Sequence, residues 1–151
     1  MITTDQYSWL FRKGLDKTKE ELLAYADEEN LWVIRGEIKN SSGHLAQHLA
    51  GNLKLFVGKV MGGIDYTRER DREFNERQFT REQLVGLLEE TATIIEQSLT
   101  SKDAAFFDLP FPHEVVSIKE GQTNGFMLTY LYAHLNYHLG QINYHRRLIQ
   151  Q

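Results

Sequence analysis

The stretch Thr123–Gln151, TNGFMLTYLYAHLNYHLGQINYHRRLIQQ, decides the fold. It holds no proline, and its one interior glycine after Gly125 is Gly140. At 3.6 residues per turn it is long enough for about eight turns of helix. Thr123 stands where an N-cap is needed, with a hydroxyl that can accept a backbone N–H of the first turn. With each residue a step of about 100° round the axis, Met127, Leu131, His134, His138, Ile142, His145 and Ile149 fall on one stripe about 80° wide. Tyr132, Asn136, Asn143 and Arg147 lie well away from it. The three histidines therefore occupy apolar positions on the face that a helix buries. His134 and His138, four apart, put their rings on adjacent turns, a spacing at which one helix offers two nitrogens to one metal. The competing reading is a hydrogen-bonded core histidine, the commoner fate of a single His on an apolar stripe.

Composition narrows the remaining choices. A chain of 151 residues is the usual size of one domain with one core, so residues 1–151 are expected to form a single domain. The net charge of -4 leaves no basic excess for nucleic acid. No apolar run approaches the ~20 residues that span a bilayer, and MITTDQYSWLFRKG lacks the basic-then-apolar pattern of a signal peptide. A cytoplasmic protein is expected, with no membrane and no nucleic-acid partner. With no cysteine, disulfides, thiolate ligands and a cysteine nucleophile are excluded, and a transition metal would have to use His, Asp, Glu or water.

Upstream, Thr4–Tyr25 reads as a first helix capped by Thr4, with Tyr7, Phe11, Leu15, Leu22 and Tyr25 on its buried stripe. Asn30–Asn40 reads as a connector, with Trp32 plugging one end of the core. Ser41 or Ser42 caps a second helix that runs to about Met61 and stops at Gly62-Gly63. Its apolar face is Leu45, Leu49, Phe56 and Val60, with His48 and Asn52 on the flank. His44 reads as a partly exposed helix residue; spacing alone does not decide the role of His48. Ile64–Phe79 reads as a charged connector in which Arg68, Arg70 and Arg72 alternate with Glu69, Asp71 and Glu73. Such a run is usually a solvated, self-paired face, and the minority reading has one arginine reaching over a site to bind an anionic substrate. Thr80, with Gln83 three residues on, forms a capping box for a third long helix whose core stripe is Leu84, Leu87, Leu88, Ile94, Ile95 and Leu99. Ser101–Gln122 is the longest irregular stretch, rich enough in Phe and Pro to pack, and a long ordered loop is often a lid or binding element. Its His113 and Glu114 read as exposed loop residues. The whole is an all-α chain, expected to be an antiparallel four-helix bundle.

Three segments, HLAGN (His48–Asn52), RDREF (Arg70–Phe74) and HLNYHLGQI (His134–Ile142), together resemble the DinB-like superfamily, closest to a branch of unknown function. The resemblance covers nearly the whole chain in order and spacing. It implies a four-helix bundle of up-down-down-up order, often a homodimer, with a divalent metal held by one histidine of the second helix and two of the last. On this chain those are His48, His134 and His138. Gly140 is then expected where another helix approaches closely, and Gln141 is either a partner that orients a ring or a polar residue at the stripe edge.

Three imidazoles without a protein anion suit Zn²⁺ or Ni²⁺ better than Mg²⁺ or Ca²⁺, and three protein ligands leave a position open for water or substrate. The resemblance implies a metal-dependent enzyme, a small-thiol transferase or a hydrolase, whose small-molecule substrate is a low-molecular-weight thiol in the first case. No general base is identified; Glu114, His113 and His145 are candidates. The alternatives are a non-catalytic metal- or ligand-binding dimeric bundle and a plain structural bundle with core histidines. An exposed aromatic such as Tyr132 would mark a dimer contact.

Overall fold

The computed structural model describes residues 2–115 and 117–151, and among them there are five α-helices and no strand. They are α1 (Thr4–Leu23), α2 (Ser42–Leu53), α3 (Arg70–Asn75), α4 (Arg81–Thr100) and α5 (Asn124–Ile149). α2 continues without a break into wider π-helical turns over Lys54–Met61. Short 3₁₀ turns cover Glu28–Trp32 and Ala104–Asp108. No helix is long and apolar enough to cross a membrane, among the described residues.

The periodic stripes become the core. Phe11, Leu15 and Leu22 of α1, Leu49 of α2, Leu84, Leu88, Ile95 and Leu99 of α4, and Leu131, Leu135 and Ile142 of α5 have no exposed surface. Each such side chain contributes roughly 1.5–3 kcal/mol relative to leaving it in water. α1 lies against α4 and α5, and α2 lies against the same two helices while α3 covers part of its remaining face. α2 is consequently buried almost all round, and only His44 among its residues is partly exposed. That is why His48 and Asn52, on the flank of the apolar stripe, are buried.

Caps confirm most boundaries and correct one. Ser41, Thr80 and Thr123 cap α2, α4 and α5, and Thr80 and Gln83 form the expected reciprocal box. α1 is capped by Thr3, not Thr4, because Gln6 stands three residues after Thr3 and closes a capping box there. Thr4 turns inward, its hydroxyl donating to the Lys102 carbonyl over 3.3 Å. Gly63 ends the second helix in the left-handed region at φ 75°.

Three expectations fail for physical reasons. The charged connector contains a helix, α3, because its residues turn with a helical period once Gln47 fixes them: the Gln47 amide donates to the Glu73 and Glu76 carbonyls, each over 2.9 Å. Gly140 meets no neighbour within 4 Å, and the close approach to α5 comes from Gly14 of α1, where a Cβ would lie 2.7 Å from Leu135 Cδ2. Tyr132 is not an exposed aromatic; it packs on the core with its ring edge-on to Phe11 at 5.9 Å.

The irregular stretch after α4 packs, as its composition implies. Phe106, Phe107 and Phe111 are buried. The Phe111 N–H donates to the Gln122 carbonyl and the Asn124 N–H to the Leu109 carbonyl, which ties the returning chain into a strap leading to α5. Trp32 is partly buried against the core, with the Arg77 guanidinium 5.3 Å above its ring.

Candidate metal centre

The π-helical extension, α3, the strap and the middle of α5 enclose a cavity of about 710 Å³. At its floor His48 of α2 meets His134 and His138 of α5. His48 Nε2 lies 3.3 Å from His134 Nε2, and His138 Nε2 lies 3.0 Å from the same atom. The candidate ligand atoms of all three lie within 4.8 Å of one another. The rings stand steeply to one another, at 71°, 86° and 89°, as three imidazoles do when they point edgewise at one centre. A tetrahedral ion with bonds of about 2.0–2.1 Å needs ligand nitrogens about 3.3 Å apart.

The outer nitrogens decide what the inner ones carry. His48 Nδ1 lies 3.2 Å from both Glu73 Oε1, which accepts, and Arg68 Nη2, which donates; with the proton on Nδ1 the ring donates to Glu73. His138 Nδ1 faces Gln141 Oε1 at 2.6 Å and holds its proton likewise. In that tautomer both Nε2 atoms are lone pairs aimed at His134 Nε2. A proton on His134 Nε2 answers only one of them, and a proton on His134 Nδ1, which is buried without a partner, leaves three lone pairs converging. With the His134 proton on Nδ1, a cation at the centre would meet all three lone pairs, so the donor set fits a metal ion. Burial, helped by the charge of His138, His48 and Arg68, pushes His134 down to about 3, and burial pushes His138 below the usual imidazole range. Both are neutral, ligating forms near pH 7.

Glu73 is the residue that sequence reasoning missed. Its side chain is buried between His48 and Arg68, whose Nε and Nη2 donate to its two oxygens over 2.8 Å and 2.7 Å. Burial alone would raise its carboxyl, but the bonds from Arg68 and His48 outweigh it and hold the group below the usual carboxylate range. Gly51 makes the room: a Cβ there would lie 2.0 Å from Glu73 Oε2. The glycine of HLAGN thus serves the acid of RDREF. Phe74 completes the wall, its ring 4.7 Å from that of His48. The signal was available, since in a helix Glu73 and Phe74 turn to the same side as Arg70, while Arg72 turns outward to pair with Glu69 and Glu76.

The other candidates separate cleanly. His113 and Glu114 are exposed loop residues, as expected, and both line the cavity beside the cluster. His145 is a core histidine: Nδ1 is 2.5 Å from the Tyr25 hydroxyl and Nε2 is 2.8 Å from the Val33 carbonyl. Seven residues after His138, it stands about 10 Å further along the axis and does not line the cavity. His44 is partly exposed, with Nδ1 2.9 Å from Ser41 Oγ. Gln141 takes the ring-orienting role.

Fold and site together define a helical protein with a candidate three-histidine metal centre. The chain belongs to the family described as "Protein of unknown function (DUF1572)", whose sequence profile matches residues 6–151. Comparison with curated proteins and with solved structures gives no match.

Proposed function

We propose that this chain is a divalent-metal-dependent enzyme acting on a small molecule, built as a DinB-like four-helix bundle of up-down-down-up order. The observation that carries the reading is the convergence of three imidazole nitrogens, two of them on rings whose outer nitrogens face the oxygens of Glu73 and Gln141. A borderline ion such as Zn²⁺ or Ni²⁺ suits that donor set. When bound, it lowers the pKa of a coordinated thiol or water and so supplies a nucleophile near pH 7. The protein's own residues do the rest. His48, His134 and His138 leave the cavity side open to substrate. Glu73 and Gln141 orient two of the rings. Glu114 and His113 are the loop side chains on the cavity wall that can move a proton, which removes His145 from the candidates for a base.

A transferase of low-molecular-weight thiols is the favoured reaction, with a hydrolase second. The test is a panel of thiol–electrophile pairs and activated esters, assayed with chelator-treated and with Zn²⁺- or Ni²⁺-reloaded protein. Turnover that returns only with metal supports the reading; turnover indifferent to metal sinks it.

A non-catalytic metal- or ligand-binding homodimer is the second reading. It is favoured by one observation: Phe126, Tyr137, Tyr144 and Leu148 of α5 are 46%, 64%, 67% and 49% exposed. At about 100° per residue they share one stripe along the outer face of the helix. A monomer by light scattering at working concentration removes the dimer, and turnover in the panel removes the non-catalytic reading.

A further inference from the structure

Three features of the cavity lie outside the metal-binding arrangement. Arg70 lines it, is exposed, and holds its guanidinium 5.2 Å above the Phe74 ring. Among the described residues it enters no ion pair, whereas Arg68 is committed to Glu73 and Arg72 to Glu69 and Glu76. Glu114 lines the same cavity and is not paired with it. Since Phe74 packs on His48, the free guanidinium stands one aromatic ring away from the first candidate ligand. Asn52 is the third feature. It is 8% exposed, lies one turn beyond His48 on α2, lines the cavity, and its Oδ1 is buried without a partner. An unpartnered buried amide costs stability, and its natural complement is a polar group of a ligand.

We propose that Arg70 and Asn52 form a recognition subsite for a small monoanionic carboxylate, held beside the histidine cluster with its other end toward the metal; this deepens the metal-dependent reading above and rests on it for the ligand's orientation. The guanidinium presents a planar fork that matches a carboxylate, and stacking on Phe74 fixes its plane. The single guanidinium pairs with one carboxylate, and Glu114 on the same wall repels a phosphate dianion more strongly than a monoanion. Asn52 Oδ1 accepts from a hydrogen-bond donor along the body of the ligand, where the ligand carries one.

The test has two arms, each on wild type, Arg70→Gln and Asn52→Leu, with metal content measured in every preparation. In the first, propionate is titrated into chelator-treated protein and followed by amide shifts in nuclear magnetic resonance. Saturable shifts over residues 51–52 and 70–74 in wild type, absent in Arg70→Gln, are expected. In the second, metal-loaded protein is titrated calorimetrically with 3-mercaptopropionate and with 3-mercapto-1-propanol, which differ only in the carboxylate and share a strong metal donor. Wild type is expected to prefer the acid by about tenfold or more, as one charge-assisted contact implies. Arg70→Gln is expected to lose the preference. Asn52→Leu is expected to keep the preference for the acid, which carries no donor for the amide oxygen, while melting at a higher temperature because the orphaned acceptor is gone. Propionate shifts that are absent, or unchanged in Arg70→Gln, overturn the subsite, as does an undiminished preference for the acid in that variant. Protein that takes up no metal overturns the metal-dependent reading, and the propionate arm still decides the subsite.

Discussion

His48 Nδ1 lies 3.2 Å from Glu73 Oε1, and this contact joins a candidate ligand on α2 to an acid on α3, twenty-five residues away in sequence. Arg68 grips both oxygens of the same acid, so the imidazole is held through a buried carboxylate that cannot rotate freely. Replacing Glu73 by Gln keeps the shape and removes the charge. Metal affinity should then fall ~10- to 100-fold, the usual effect of losing a partner behind a ligand. The variant should also be destabilised by about 3 kcal/mol, because Arg68 is left buried without its counter-charge. Competition against a chromophoric chelator and urea melts measure the two effects; an unchanged affinity would mean that Glu73 does not orient His48.

Two glycines in helix interiors should respond in opposite directions to alanine. At Gly51 the new methyl would fall 2.0 Å from Glu73 Oε2, so the acid must move away from His48. Gly51→Ala should cost on the order of 2 kcal/mol and weaken metal binding. At Gly140 there is nothing within 4 Å, so Gly140→Ala should stabilise α5 by about 1 kcal/mol with metal affinity unchanged. Thermal melts and metal titrations of the pair separate the two outcomes, and a destabilised Gly140→Ala would point to a surface that covers this position.

His145 gives a pH dependence whose sign follows from burial. Its folded-state pKa is pushed below the ordinary 6.5 by burial, against a smaller opposing pull from the Val33 carbonyl. The unfolded chain therefore binds a proton that the folded chain refuses. The contribution to stability is fully present above pH 6.5 and is lost as pH falls from there toward the depressed value. His145→Gln should show a shallower loss between pH 7 and 5 than wild type, read as urea midpoints on metal-free protein. Parallel slopes for the two would remove His145 from the acid response.

How much was legible in the sequence depended on whether a residue's partner was local. The α5 stripe predicted the burial of Met127, Leu131 and Ile142 because helical period is a property of one segment. The caps at Thr80 and Thr123 were legible for the same reason, and Thr4 failed only because Gln6 stands one residue closer than the cap it implied. His134 and His138 were visible as a pair on one helix. Their meeting with His48 came from resemblance, since no period relates residues on different helices, and the cluster now stands in the structure. Glu73 was hidden in an alternating charge run that looks solvated until α3 coils it, turning Glu73 inward and Arg72 outward. Gly140 misled because a glycine can mark a close approach or open space, and only the neighbours tell which.

The central claim is that His48, His134 and His138 hold a metal, and it is tested most directly by the metal content of untagged protein. Wild type and His138→Ala would be purified side by side and measured by plasma mass spectrometry, before and after reloading with Zn²⁺ and Ni²⁺. The account predicts close to one ion per chain in wild type and loss of that ion in the variant. Wild type that carries no metal even after reloading would contradict it and return the three histidines to the core as hydrogen-bonded side chains.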